Sequence, residues 1–129
     1  MVAAMHRLYL TIAAILGCAA VALGAFGAHG LTSRLAGLPD GAQRLDWWKT
    51  AALYHLTHAL ALGLVAGLLG NTAAGKLSSA AFIIGIALFS GSLYTMTLTG
   101  IRVLGAVTPF GGLALMVGWG ALAVAAFRS

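Results

Sequence analysis

His55 and His58 stand three residues apart, with Tyr54 beside them, in a stretch otherwise made almost wholly of Ala, Leu, Gly and Val. That spacing puts both imidazoles on one face of a helix. Such a pair can ligate a metal, and an imidazole titrates near pH ~6.5, so it can also carry a proton. A second polar set lies downstream: Ser90, Ser92 and Tyr94, followed by Thr95, Thr97 and Thr99. His29 closes an earlier apolar run and Thr108-Pro109 opens the last one. Three chemistries are open to these residue types. A metal or haem site would draw on the histidines with Met96 or Cys18, yet the apolar runs hold no acidic residue to orient a ligating imidazole. A Ser–His nucleophile lacks its orienting carboxylate for the same reason. No phosphate-cradling loop is present. We therefore expect no catalytic residue, no metal and no cofactor, and a protein that is not an enzyme. Two readings stay open: a polar binding pocket, or polar groups that tie helices together, with Ser and Thr bonding back to their own carbonyls.

The elements that position these groups are membrane spans. Of 129 residues, 61% are hydrophobic and 7% charged, where a soluble domain carries roughly 25% charge. The mean hydropathy is +1.02. Four apolar runs stand out, and each reaches the ~20 residues that cross a ~30 Å hydrocarbon core. The expected architecture is all-α: an integral membrane four-helix bundle forming one transmembrane domain over 1–129. Its helices are placed at about 8–28, 41–69, 77–98 and 104–127. Strands are excluded by the lack of alternation and because an isolated span must satisfy its own backbone hydrogen bonds. Met1 to Arg7 and the run after it have the outline of a signal peptide, but the run is long for a signal core and is expected to remain as helix 1.

The first connection holds most of the charge. Pro39 ends one segment, and Asp40 with Gln43 three residues on reads as a capping box. Asp40 and Arg44 are spaced as a helical ion pair. Helix 2 then starts near Gly41 as an interfacial extension before the bilayer, because 41–69 would be ~43 Å long at 1.5 Å per residue. Trp47, Trp48, Arg44 and Lys49 are expected to anchor it at the headgroups. The net charge of +5 does not point to nucleic acid, since the seven basic residues are scattered singly. They split three against four between the two membrane faces and leave the orientation open.

Even crossings put the first and third connections on one side. By depth, His29, Tyr54, His55, His58, Ser90, Ser92, Tyr94 and Thr108 then share one half of the bilayer. Facing lipid is costly for polar groups, so they are expected to turn inward as a candidate polar pocket. One functional reading is an accessory or interaction protein that meets membrane lipids, another membrane protein or its own copies. The alternative is a lipid, small-solute or proton binding or transport protein using the His29/His55/His58 cluster.

The motifs Gly24-Ala25-Phe26-Gly27-Ala28-His29-Gly30-Leu31, Thr50-Ala51 with Tyr54-His55, His58-Ala59-Leu60-Ala61-Leu62, Phe89-Ser90-Gly91-Ser92-Leu93-Tyr94 and Thr108-Pro109 with Gly111-Gly112 belong together. Across nearly the whole chain they resemble the YgdD-like family of small four-helix inner-membrane proteins of unknown function. The resemblance implies a multi-pass protein of the bacterial inner (cell) membrane. It implies no activity and no catalytic residue.

Overall fold

The computed structural model describes residues 2–128; Met1, the first residue of the signal-like segment, lies outside them. Among the described residues there are helices and turns and no strand. The first span is α1 (Val2–Phe26), a π-helical turn (Gly27–Leu31) and the short α2 (Thr32–Leu35). The others are α3 (Gly41–Leu69), α4 (Ala73–Thr99), and α5 (Thr108–Phe127), which a 3-10 turn at Arg102–Ala106 precedes. All four segments are long and apolar enough to cross a membrane.

Several helix ends differ from the sequence reading: α1 already begins at Val2 rather than 8, and three others differ as follows. α4 starts at Ala73 rather than 77 because Thr72 Oγ1 accepts from Gly75 N at 2.9 Å, capping a turn that includes Lys76. α5 starts at Thr108 rather than 104. A helix begun at 104 would need an N–H from Pro109 for the Gly105 carbonyl, and proline has none; in the first helical turn that lack costs nothing. The first span runs on past 28, through the π-helical turn to Leu35.

Packing follows chain order. α1 lies along α3, α3 along α4, and α4 along α5. The most apolar stretch of α4 is 50% buried, against 11% for the first span, so α4 is the centre of the bundle and α1 sits at its side. Glycines make the central contact close. The Leu115 side chain lies over Gly85, the Phe82 ring over Gly118, and the Phe89 backbone over Gly111. Such approach is how membrane helices gain packing energy where lipid is as apolar as the core. Leu62, Val65, Phe82, Ile86 and Leu115 form that core with Ala13 of α1.

The α4 terminus is closed by Gly100 at φ 73°, whose N–H bonds Met96 O at 2.8 Å. The Arg44 guanidinium packs onto this glycine. Arg44, expected as an interface anchor, thereby also makes contacts within the protein. Its Nε donates to Asp40 Oδ2 at 3.1 Å and its Nη1 to Thr97 O at 3.4 Å. Asp40 does not cap α3 with its side chain; the carboxylate is held by Arg44 and, at 3.4 Å, by Arg102. Gain of two guanidinium donors replaces the one backbone bond a capping box would offer.

The hydrogen bond from Arg44 keeps the Asp40 carboxyl below its ordinary pKa of 3.8. A carboxylate with a depressed folded pKa stabilises above the unfolded value, and that contribution is lost as pH falls through the lower one. We expect the melting temperature of the protein in detergent to drop as pH is taken from 5 to 3. Asp40→Asn is expected to melt lower at pH 5 and to show less of that drop. High salt should shrink the difference, because the pair is partly exposed. Equal pH slopes for the two proteins would remove the role given to Asp40.

Candidate functional site

The structure divides the expected polar pocket into two clusters, one on each side of the α3–α4 seam. On the α5 side, Trp119 Nε1 donates to His58 Nε2 at 3.1 Å. Indole N–H is only a donor, so Nε2 must be the acceptor and Nδ1 must carry the proton. Nδ1–H accordingly meets Tyr54 O at 2.7 Å. His58 is thus a neutral imidazole with both nitrogens engaged. Tyr54 stacks on His58 and on Phe89, at centroid distances of 5.7 and 4.4 Å, and is 40% exposed. Trp119 was not among the expected site residues. Its signal in the sequence was an indole deep in an apolar run, which needs a partner for its N–H.

On the α1 side, His55 is 5% exposed. Its Nδ1 lies 3.1 Å from Tyr94 Oη. The Tyr94 ring packs at 4.5 Å against Trp48. Trp48 is 3% exposed, and its Nε1 donates to Leu23 O at 2.7 Å. The buried Trp48 indole, expected as an interface anchor, thus joins α1 to α3 and α4. The indole sits on Gly27, where any Cβ would collide with it. Beside it, the chain leaves α-helical register in the π-helical turn, where Thr32 Oγ1 bonds Gly27 O at 2.9 Å. Trp47 is half-buried, with Arg102 over its ring at 5.4 Å, and Lys49 is exposed beside Asp46 at 4.0 Å.

Other candidates tie helices together. Ser90 Oγ donates to Ala51 O at 2.8 Å, joining α4 to α3. Ser92 Oγ and Thr108 Oγ1 pair at 2.7 Å, joining α4 to α5. Ser78, in the half read as apolar, does the same through Gly118 O at 2.7 Å. His29 joins neither cluster. It is exposed within the π-helical turn, whose extra residue rotates the chain beyond it by about 100° relative to a continuous helix.

One opening remains. α1 packs along α3 without closing onto α4. Between them runs a groove of about 230 Å³, bounded by Leu16 and Leu23 of α1, His55 of α3, and Ala87, Ser90, Gly91 and Tyr94 of α4. His55 borders it, and the Nε2 of this residue is buried without a hydrogen-bond partner. Ser79 Oγ is the other such side-chain atom among the described residues, and it lies outside the groove.

Residues 23–112 match a family model described as a protein of unknown function (DUF423). The chain is 42% identical over 125 residues to the UPF0382 membrane protein YwdK of Bacillus subtilis (strain 168), covering 95% of this chain and 98% of that one. It is 40% identical over 126 residues to a UPF0382 membrane protein of Haemophilus influenzae, covering 97% and 98%. It is 40% identical over 124 residues to the UPF0382 inner membrane protein YgdD of Escherichia coli (strain K12), covering 95% and 91%. No solved structure matches.

Proposed function

The chain belongs to the DUF423 family of proteins of unknown function, and from that premise we propose that it is a non-enzymatic accessory protein of the bacterial cell membrane whose work is to bind a membrane constituent in the groove between α1 and α4. One observation carries the reading. Of the two histidines buried in the bundle, His58 has both nitrogens engaged, while His55, whose Nε2 has no partner, borders the opening between α1 and α4.

The remaining chemistry supports binding over catalysis. Both acidic side chains are outside the apolar runs and in ion pairs. The Ser90 and Ser92 hydroxyls are engaged with a carbonyl oxygen and with Thr108. Neither has an imidazole to take its proton, so no activated nucleophile is assembled.

The test is photo-crosslinking in the native membrane. A benzophenone side chain at Ala87, which is exposed and lines the groove, should capture a defined species. The same group at Val124, exposed on α5, should not. Equal capture at both positions, or none at Ala87, would overturn the reading.

A further inference from the structure

We infer that the end of the bundle bearing the first and third connections is a lipid-surface-binding face: its apolar loop tips lie in the headgroup layer, and the guanidinium groups of Arg34 and Arg102 bind phospholipid phosphates there. The inference is independent of the groove between α1 and α4.

The two ends of the molecule are built differently. The α3–α4 turn is Gly70, Asn71 and Thr72, with Lys76 just beyond it. At the opposite end both connections carry exposed apolar side chains. Leu38 is 42% exposed in the first, and Ile101 and Val103 are 51% and 74% exposed in the third. The two connections are neighbours, since Arg102 Nη2 reaches Asp40 Oδ2 at 3.4 Å and Arg44 of α3 packs on Gly100. Scattered exposed apolar residues are ordinary, but a group of them gathered at one end of a bundle marks a surface that meets something apolar. The headgroup layer takes apolar and aromatic side chains beside cationic ones. Span length agrees. A helix over 41–69 rises ~43 Å, more than the ~30 Å hydrocarbon core, so seating this end low leaves the α3–α4 turn in water.

The basic residues say which partner fits. This end holds Arg34, Arg44, Lys49 and Arg102 against Asp40 and Asp46. Arg44 is engaged within the protein, by Asp40 Oδ2 and Thr97 O, and Lys49 faces Asp46. Arg102 gives one N–H to Asp40 at 3.4 Å and lies over the Trp47 ring at 5.4 Å. Arg34 has no carboxylate partner among the described residues and lies over the Phe26 ring at 5.8 Å. Each connection therefore presents the same combination: an exposed guanidinium laid on an aromatic ring, in the same stretch of chain as an apolar tip. The ring covers one face of the cation and leaves edge N–H groups open, in the fork that matches phosphate oxygens. An acidic peptide would use the arginines and leave the tips in water. A phospholipid leaflet meets both at one depth.

Two experiments on the full chain in vesicles of phosphatidylglycerol and phosphatidylethanolamine, in phosphate-free buffer, test this. The first reads dephasing of guanidinium 13C by lipid 31P in solid-state NMR, with Arg34→Lys and Arg102→Lys assigning the two signals. Arg34 and Arg102 should dephase at least about threefold more than Arg44, whose guanidinium is held by Asp40 and Thr97 O. The second places spin labels at Leu38→Cys, Val103→Cys and Asn71→Cys, each with Cys18→Ala. All three positions are exposed, so the labels leave the packing alone. Labels at 38 and 103 should collide more with oxygen, which concentrates in lipid, than with a water-soluble nickel chelate, and the label at 71 should show the reverse.

A label at 38 or 103 that favours the chelate puts the tips in water and overturns the inference. A label screened from both probes puts a second copy of the chain on them and does the same. Arg34 and Arg102 signals that dephase no more than that of Arg44 remove the phosphate contact, and the inference with it.

Discussion

Gly111→Leu is expected to prevent α4 and α5 from packing, and Gly111→Ala to weaken them severely. A Cβ at Gly111 would sit 2.7 Å from Phe89 Cα and 2.8 Å from Leu88 C. Those are backbone atoms in the middle of α4, so no side chain can swing away, and the helices must separate. Overpacking costs typically 1–3 kcal/mol; against backbone we expect the alanine at about 3 kcal/mol and the leucine beyond it. Separation also strains the Ser92–Thr108 pair and the Ser78–Gly118 bond, which both cross this contact. Two neighbours supply the controls. At Gly112 a Cβ meets Phe89 Cδ2 at 3.8 Å, an ordinary contact, and at Gly120 it meets nothing within 4 Å. Alanine there should be neutral or gain up to ~1 kcal/mol of helix propensity. The measurement is the melting temperature of purified variants in one detergent. Equal melting of Gly111→Ala and Gly120→Ala would mean that α4 and α5 do not approach as described.

The four spans were legible in the sequence, and the direction of their side chains was not. Run length and hydropathy mark the four spans because the bilayer imposes a length on any helix that crosses it. The sharing of one membrane half by Tyr54, His55, His58, Ser90, Ser92 and Tyr94 follows from counting along those spans. Which neighbour each side chain meets depends on how the helices are rotated, and rotation is set by packing. His55 and His58 share a helix face, as their spacing requires, yet that face straddles the α3–α4 seam. One imidazole reaches Tyr94 and the other Trp119. No rule of spacing on one helix separates them. His29 joins neither cluster because it lies in a π-helical turn that changes the rotation of the chain and leaves its side chain exposed. Asp40 was read as a cap from local spacing, while Arg102, sixty-two residues away, supplied a competing partner. The groove could not have been foreseen either, since it exists only because α1 fails to close onto α4.

Trp48→Ala is expected to be among the most damaging substitutions in the first half of the chain, and Trp47→Ala much milder. Side by side, both indoles read as headgroup anchors, but only one has a hole prepared for it. Gly27 leaves room for the Trp48 ring, Phe26 and Tyr94 pack on it at 5.5 and 4.5 Å, and Leu23 O takes its N–H. Removing a buried ring leaves a cavity that the surroundings fill only in part, at a cost of about 3–5 kcal/mol. Trp48→Phe keeps most of the volume and loses the N–H, for about 1 kcal/mol. Trp47→Ala forfeits a half-buried ring and its contact with Arg102, of which the cation–π part is about 0.5–1 kcal/mol. The expected order of melting temperatures is therefore wild type, then Trp48→Phe, with Trp48→Ala lowest and well below Trp47→Ala. The consequence reaches the groove. Trp48 supports the Tyr94 ring, and Tyr94 holds Nδ1 of His55, so Trp48→Ala should also disturb the His55 resonances while leaving those of His58 in place. Equal losses for Trp47→Ala and Trp48→Ala, with His55 unmoved, would mean that the Trp48 indole is not packed as described and would detach the groove from the joint between α1 and α3.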